Sequence, residues 1–185
     1  METKTGNLNI GATLIKSIVK GEESSILQLY DASFPVLMQV VVRYKKNHED
    51  RLSLVHNAFM KAIVHIRDFN IGTSYSAWIK TILKREIIDD FRKNKRRMLE
   101  VSMADLPDKT ETDLMEWDLD REVETKQVAA LLWQLPAATR TVFNLFLWED
   151  LRPSEIASEL GISIETVRWH IKMARKLIRH QIEKS

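Results

Sequence analysis

Glu165, Thr166, Arg168 and Trp169 stand close together in the stretch EIASELGISIETVRWHI, residues 155–171. Their chemistry is recognition rather than bond making. A carboxylate, a hydroxyl, a guanidinium and an indole can each meet a base edge in a DNA groove. Lys172, Arg175, Lys176 and Arg179 follow on the same run; flexible cations of this kind suit phosphates, which need only a nearby positive charge. Trp169 is two-sided: an indole packs on a sugar or a thymine methyl, and equally well on a partner protein.

The elements that must position these groups are two short helices and a break. Ile156 and Leu160 lie one turn apart on an inner face, and Ala157 is small enough for a close helix crossing. Gly161 supplies a left-handed stop. Ile162 plugs the turn, and the Ser163 hydroxyl caps the next helix and belongs with the DNA-binding set. On that second helix Val167, Ile171, Ala174 and Ile178 form one stripe at about 100° per residue and read as core. Glu165, Arg168, Trp169, Lys172 and Lys176 take the opposite face, with Thr166 and Met173 at its margin. Stop, plug, cap and basic face together specify a helix-turn-helix whose second helix enters a major groove. An ordinary solvated bundle helix explains the basic face alone, without the turn.

Other chemistries find little support. The five histidines, His48, His56, His65, His170 and His180, show no metal-ligand spacing with carboxylates and read as surface or helix-end residues. Asp89 and Asp90 point about 100° apart on a helix and make no catalytic pair. No phosphate-cradling glycine loop is present, and the absence of cysteine excludes disulfides and thiolate metal sites. Neither a catalytic group, a metal nor a cofactor is expected. The N-terminal segment lacks the apolar core of a signal peptide, and no run approaches the roughly 20 apolar residues of a membrane span. A cytoplasmic protein without membrane insertion is the expectation.

The formal net charge of +2 hides an uneven distribution. Residues 76–97 carry eight basic and three acidic side chains, residues 98–126 three and ten, and residues 163–185 six and two. Two cationic blocks thus flank an anionic one, as expected of two anion-binding surfaces joined by a segment that avoids the same anion. Apolar residues recur at helical spacing from Ala12 onward, with a break at Gly21, a further helix beginning near Pro35, and another over residues 52–69. A turn-rich NIGTSYS leads into a helix starting near Ala77. The pattern predicts an all-α protein of two small helical domains, residues 12–97 and 122–182, joined by an acidic flexible linker, 98–121. The second domain reads as four helices, near 122–134, 137–148, 153–160 and 164–182, ending in the helix-turn-helix.

In SAWIKTILKREIIDDFRKNKRR, Trp78, Ile79, Ile82, Leu83 and Ile87 cover one side of a helix while Lys80, Lys84 and Lys95 cluster on the other. Phe69 and Tyr75 bracket the preceding turn and offer a surface on which an unpaired base could stack. This aromatic loop and basic helix, the acidic linker, and then LPAATRTVFNLFLWEDLRPSEIASELGISIETVRWHIKMARKLIR resemble the two-domain, extracytoplasmic-function class of bacterial RNA polymerase sigma factors. The resemblance covers nearly all of residues 12–182.

It implies a non-enzymatic initiation factor that binds core RNA polymerase and promoter DNA. By this resemblance the clamp-binding helix maps onto residues 52–66, with Leu52, Val55, His56 and Phe59 as polymerase contacts. The minus-ten element falls to Phe69, Tyr75, Lys80, Lys84, Arg85, Arg92 and Lys95, and the minus-thirty-five element to the helix-turn-helix. The linker would thread toward the active-site channel, and an anti-sigma factor often masks the polymerase-binding surface in this family. The chain departs from the family at Ser53 and His56, where an Asp and a Gln are usual, and at Arg85, where an Asn is common.

A free-standing helix-turn-helix regulator is the alternative. The two differ in their dependence on polymerase. With a small net charge and an anionic linker, the isolated protein should bind promoter duplex poorly, because several phosphate contacts are needed and each weakens with salt. A gel-shift titration should show little promoter binding by the protein alone and strong binding once core polymerase is added. Nanomolar specific binding without polymerase, and no run-off transcript with it, would favour the regulator.

Overall fold

The computed structural model describes residues 10–104 and 131–182, with side chains to residue 97 in the first span. Every regular element among them is helical: α1 (Ala12–Val19), α2 (Glu23–Val41), α3 (His48–Val64), a 3-10 turn (Ile66–Asp68), α4 (Tyr75–Ala104), α5 (Ala137–Leu147), α6 (Pro153–Leu160) and α7 (Ile164–Ile182). The chain separates into two compact units, residues 1–87 and 88–185, with the division falling inside α4.

In the first unit, α1 ends at Val19, and Gly21, with φ of 81°, takes the chain out of the helix. The expectation of a new helix near Pro35 is corrected: α2 is continuous and Pro35 lies in its interior. The reason is the buried stripe Leu29, Ser33, Leu37, Val40 and Val41, which runs straight through that position. An interior proline costs about 3 kcal/mol. Burying each large aliphatic side chain contributes about 1.5–3 kcal/mol, so the stripe outweighs it. Pro35 itself is exposed.

The α2–α3 turn is clamped by Arg51, whose Nε and Nη2 donate to the carbonyls of Lys45 (2.6 Å) and Lys46 (2.9 Å). Asn47 caps α3 by accepting from the Glu49 amide at 2.9 Å, and Glu49 and Asp50 place negative charge in its first turn. Two cross-ties hold α4 to this unit. The Ser33 and Tyr75 hydroxyls lie 2.9 Å apart in the interior, and Lys61 on α3 forms an ion pair with the largely buried Glu86 on α4. The helix expected over residues 52–69 begins earlier, at His48, and stops at Val64, beyond which the 3-10 turn takes over.

Further along, α4 begins at Tyr75 and runs to Ala104, so its backbone takes up the first seven residues assigned to the linker. The rest of that linker, and most of the helix expected over 122–134, lie outside the described residues.

The second unit packs α5 and α6 against α7. Leu132, Leu135, Val142, Phe143, Ile156, Leu160, Val167 and Ala174 form its interior, each at most 3% exposed. Pro136 opens α5, and the buried Arg140 folds back so that its Nη1 donates to the Leu135 carbonyl (3.2 Å) with its guanidinium 4.5 Å from the Trp133 ring centre. Pro153 occupies the first turn of α6, where a missing N–H costs nothing. The Glu155 carboxylate accepts from the Arg152 amide (2.8 Å) and guanidinium (3.0 Å), closing that turn in place of the usual small polar cap. Those two hydrogen bonds hold the Glu155 carboxyl below its ordinary range.

Candidate nucleic-acid interface

The α6–α7 break is built as its residues require. Gly161 adopts φ 64° and ψ 40°, and the Ile162 amide donates to the Ala157 carbonyl at 3.2 Å, satisfying the end of α6. The Ser163 hydroxyl then accepts from the Thr166 amide at 3.1 Å and starts α7.

Val167, Ile171, Ala174 and Ile178 are all buried, as their spacing predicts. On the far side Glu165, Arg168, Lys172, Lys176 and Arg179 are exposed, separated by three, four, four and three residues, and so form one straight stripe. Hydrogen bonds from its own backbone amide and from Ser163 keep the Glu165 carboxyl below its ordinary range, so it is an acceptor at neutral pH. Thr166 and Trp169 are half-buried at the margins of the stripe.

Three residues of α7 sit otherwise than expected. His170 is not a surface histidine: it is 1% exposed, with Nδ1 3.0 Å from the Thr139 hydroxyl of α5. Burial pushes its pKa down to about 4, which keeps the ring neutral. Met173, expected at the margin, is buried. Arg175 turns from the stripe toward α5, its guanidinium 5.6 Å from the centre of the Phe146 ring, and desolvation lowers its pKa. It is therefore poorly placed to reach a phosphate. All three follow from geometry: α7 packs against both α5 and α6, so its buried side is a wider arc than a single apolar stripe implies.

The expected aromatic platform is also corrected. Phe69 and Tyr75 are 5% and 2% exposed. With Trp78 they form a cluster whose centroids lie 5.4–5.7 Å apart. Burial raises the Tyr75 phenol to about 12, so it stays protonated and paired with Ser33. These rings cannot stack on a base; they fix the loop that follows Phe69. In that loop Asn70, Ile71, Thr73 and Ser74 are exposed, Thr73 donates from its hydroxyl to the Asn70 carbonyl (2.8 Å), and Ser74 caps α4. Along α4, Lys80, Arg85 and Arg92 are exposed, while Lys84 and Lys95 are half-buried.

On α3, Val55 and Phe59 belong to the core at 0% and 5% exposure, so they are not a docking surface. Leu52 is half-buried, and His56 is exposed with Nε2 2.9 Å from the Tyr30 hydroxyl. The outward side of α3 instead carries Ser53, His56, Asn57, Met60 and Val64, and the last two are 60% and 72% exposed. Met60 and Val64 were missed by the sequence reading, although both lie opposite Val55 and Ala62 on a helical wheel.

Two family models and several relatives match this chain. Residues 29–97 match the family described as sigma-70 region 2, and residues 125–178 match sigma-70 region 4. The RNA polymerase sigma factor SigV of Bacillus subtilis is 30% identical over 141 residues, covering 76% of this chain and 81% of the relative. The chain belongs to the extracytoplasmic-function RNA polymerase sigma factors.

SigW, an extracytoplasmic-function sigma factor of the same organism, is 25% identical over 181 residues, or 91% of this chain and 94% of its own. Among solved structures, the sigma factor RpoE of Bartonella quintana in complex with the anti-sigma factor NepR aligns with 89% of this chain and 98% of its own, at TM-score 0.46 and 20% identity. By the family models and relatives it matches, the sigma factor described here directs transcription initiation through core RNA polymerase at promoter DNA, and the reading as a free-standing regulator is not favoured. Among the described residues, no helix is long and apolar enough to cross a membrane.

One consequence of the buried imidazole is measurable. The unfolded chain binds a proton at His170 near pH 6.5, whereas the folded chain does so only near pH 4. Stability from this group is therefore complete above pH 6.5 and is lost as the pH falls toward 4, by an amount on the order of 2–3 kcal/mol. Denaturant melts of the full chain at pH 7, 6, 5 and 4 should show a steeper loss for the unaltered protein than for His170→Asn through that window. Parallel curves for the two proteins would contradict the assignment.

Proposed function

We propose that this sigma factor grips its promoter at two points, with α7 reading the minus-thirty-five element and α4 with its preceding loop engaging the minus-ten element. The observation that carries the first assignment is the exposed stripe Glu165, Arg168, Lys172, Lys176 and Arg179, backed by a fully buried opposite face. Within it, Glu165, Thr166, Arg168 and Trp169 meet base edges, and Lys172, Lys176 and Arg179 hold phosphates. Ser163 sets the start of the reading helix and Arg175 braces it against α5.

At the minus-ten end, Lys80, Lys84, Arg85, Arg92 and Lys95 supply cationic contacts to the opened strands. Phe69 and Tyr75 act beneath the loop rather than on the bases, and the exposed Ile71 is the loop's apolar contact. The polymerase clamp docks on α3 through His56, Met60 and Val64, with Leu52 at the edge. Exposed Met and Val on a helix whose other side is core suit a protein partner. The functional divisions follow the domains 12–97 and 122–182 and the linker 98–121. The factor has no catalytic chemistry of its own and works in the cytoplasm. RpoE has been solved bound to an anti-sigma factor, and the same kind of inhibitor would cover the α3 surface here.

Two substitutions separate reading from holding. In transcription with core polymerase, Lys172→Ala should weaken all promoters alike, and the slope of log affinity against log salt should fall by about one phosphate contact. Arg168→Ala should change the preferred base at one upstream position, at a cost of about 1–3 kcal/mol for the favoured sequence. If both variants lowered every promoter equally and left the base preference alone, the division of roles along α7 would be wrong.

A further inference from the structure

Thr139 on α5 and His170 on α7 are 0% and 1% exposed, and their Oγ1 and Nδ1 atoms lie 3.0 Å apart. A buried polar pair is an unusual choice between two packed helices. His170 Nε2 is buried and, among the described residues, has no hydrogen-bond partner; an apolar side chain of similar size would avoid the cost of that unmet atom. Packing alone therefore does not account for an imidazole here. What it adds is direction. A hydrogen bond sets the ring's rotation, which van der Waals contact leaves free, and it does so only when the neutral ring presents the correct nitrogen.

The ring so fixed touches the reading face. The Trp169 indole meets the His170 ring edge-to-face, with centroids 4.8 Å apart and planes at 72°. Trp169 is half-buried at the border of the exposed stripe, beside Arg168 and Lys172. An indole at such a border can lie across the basic face or away from it, and the edge-to-face geometry selects one orientation. Thr139 thus orients His170, and His170 orients Trp169, so that a hydroxyl in the core determines where a ring sits at the margin of the reading helix.

We infer that Thr139 and His170 are a positioning pair that holds the Trp169 indole against a thymine methyl group, and so sets the base preference at one position of the upstream promoter element. This rests on the assignment of α7 to that element. Apolar contact with the thymine methyl distinguishes an A·T pair in the major groove from the others. Neither Thr139 nor His170 touches DNA, and both act through the tryptophan.

The test uses full-length protein and core polymerase on a promoter library with a randomised upstream element and a constant minus-ten element, read by sequencing the transcripts. Trp169→Ala should reduce the preference for thymine at one position by about fivefold or more. Thr139→Val, which keeps the shape and removes the hydroxyl, should reduce it at the same position, as should His170→Gln. Thr139→Ser, which keeps the hydroxyl, should retain it, and Thr139→Val combined with Trp169→Ala should lose no more than Trp169→Ala alone. Because His170→Gln is the variant most prone to unfold, Thr139→Val decides the matter. An unchanged preference in Thr139→Val or in Trp169→Ala, or a uniform loss over all sequences, would overturn the inference. A flat profile from the unaltered protein would remove the α7 assignment itself, which separates that failure from the others.

Discussion

The last helix, α7, has to satisfy two environments at once. Val167, Ile171, Ala174 and Ile178 are removed from water, while Arg168, Lys172, Lys176 and Arg179 remain in it. Burial of each large aliphatic group contributes about 1.5–3 kcal/mol, whereas like charges a turn apart on an exposed helix repel by only a few tenths of a kcal/mol. The apolar side therefore dictates how α7 is rotated, and the cations take whatever direction is left. Gly161 and Ser163 fix where the helix begins, so its start and its rotation about its own axis are set within the fold. On the proposed reading of α7, this preorganisation would keep the ordering of the helix from being charged against binding.

The first unit solves a different problem with similar means. Its loop after Phe69 is exposed yet held in place, and the holding is done from below. Phe69, Tyr75 and Trp78 pack on one another, and the Tyr75 hydroxyl reaches Ser33 on α2. That hydrogen bond explains why a serine stands in the buried stripe of α2, where an aliphatic residue would otherwise serve. Ser33 also donates to the Leu29 carbonyl at 2.6 Å, the back-bonding that lets a hydroxyl sit inside a helix. Pro35, two residues on, is tolerated for a different reason: the packed side of α2 outweighs its local preference.

Much of this was legible in the sequence. The turn chemistry of Gly161 and Ser163, the core stripe of α7 and the charge alternation along the chain depend on local rules, and those rules operate between near neighbours. Placement relative to a distant helix does not. His170 reads as a surface or helix-end histidine, and only the presence of α5, with Thr139 opposite it, turns it inward. Tyr75 reads as a loop aromatic because Ser33 lies 42 residues earlier in the chain. Val55 and Phe59 face the core; the resemblance identifies the helix but not its outward side. That side follows from the helical wheel, on which Met60 and Val64 oppose Val55. Pro35 misled for a plainer reason, since helix propensity speaks for the isolated segment and tertiary burial overrides it.

The central claim is that α7 meets promoter DNA through one stripe and that its neighbouring face stays inside the protein. Site-specific photo-crosslinking tests it most directly, with a photoreactive residue placed singly at positions 168 and 170 and the full-length protein bound to core polymerase on a promoter. Position 168 should crosslink to the upstream element in a single register, and position 170 should yield crosslinks within the protein and none to DNA. DNA crosslinks of comparable yield from position 170, or none from position 168, would contradict the account.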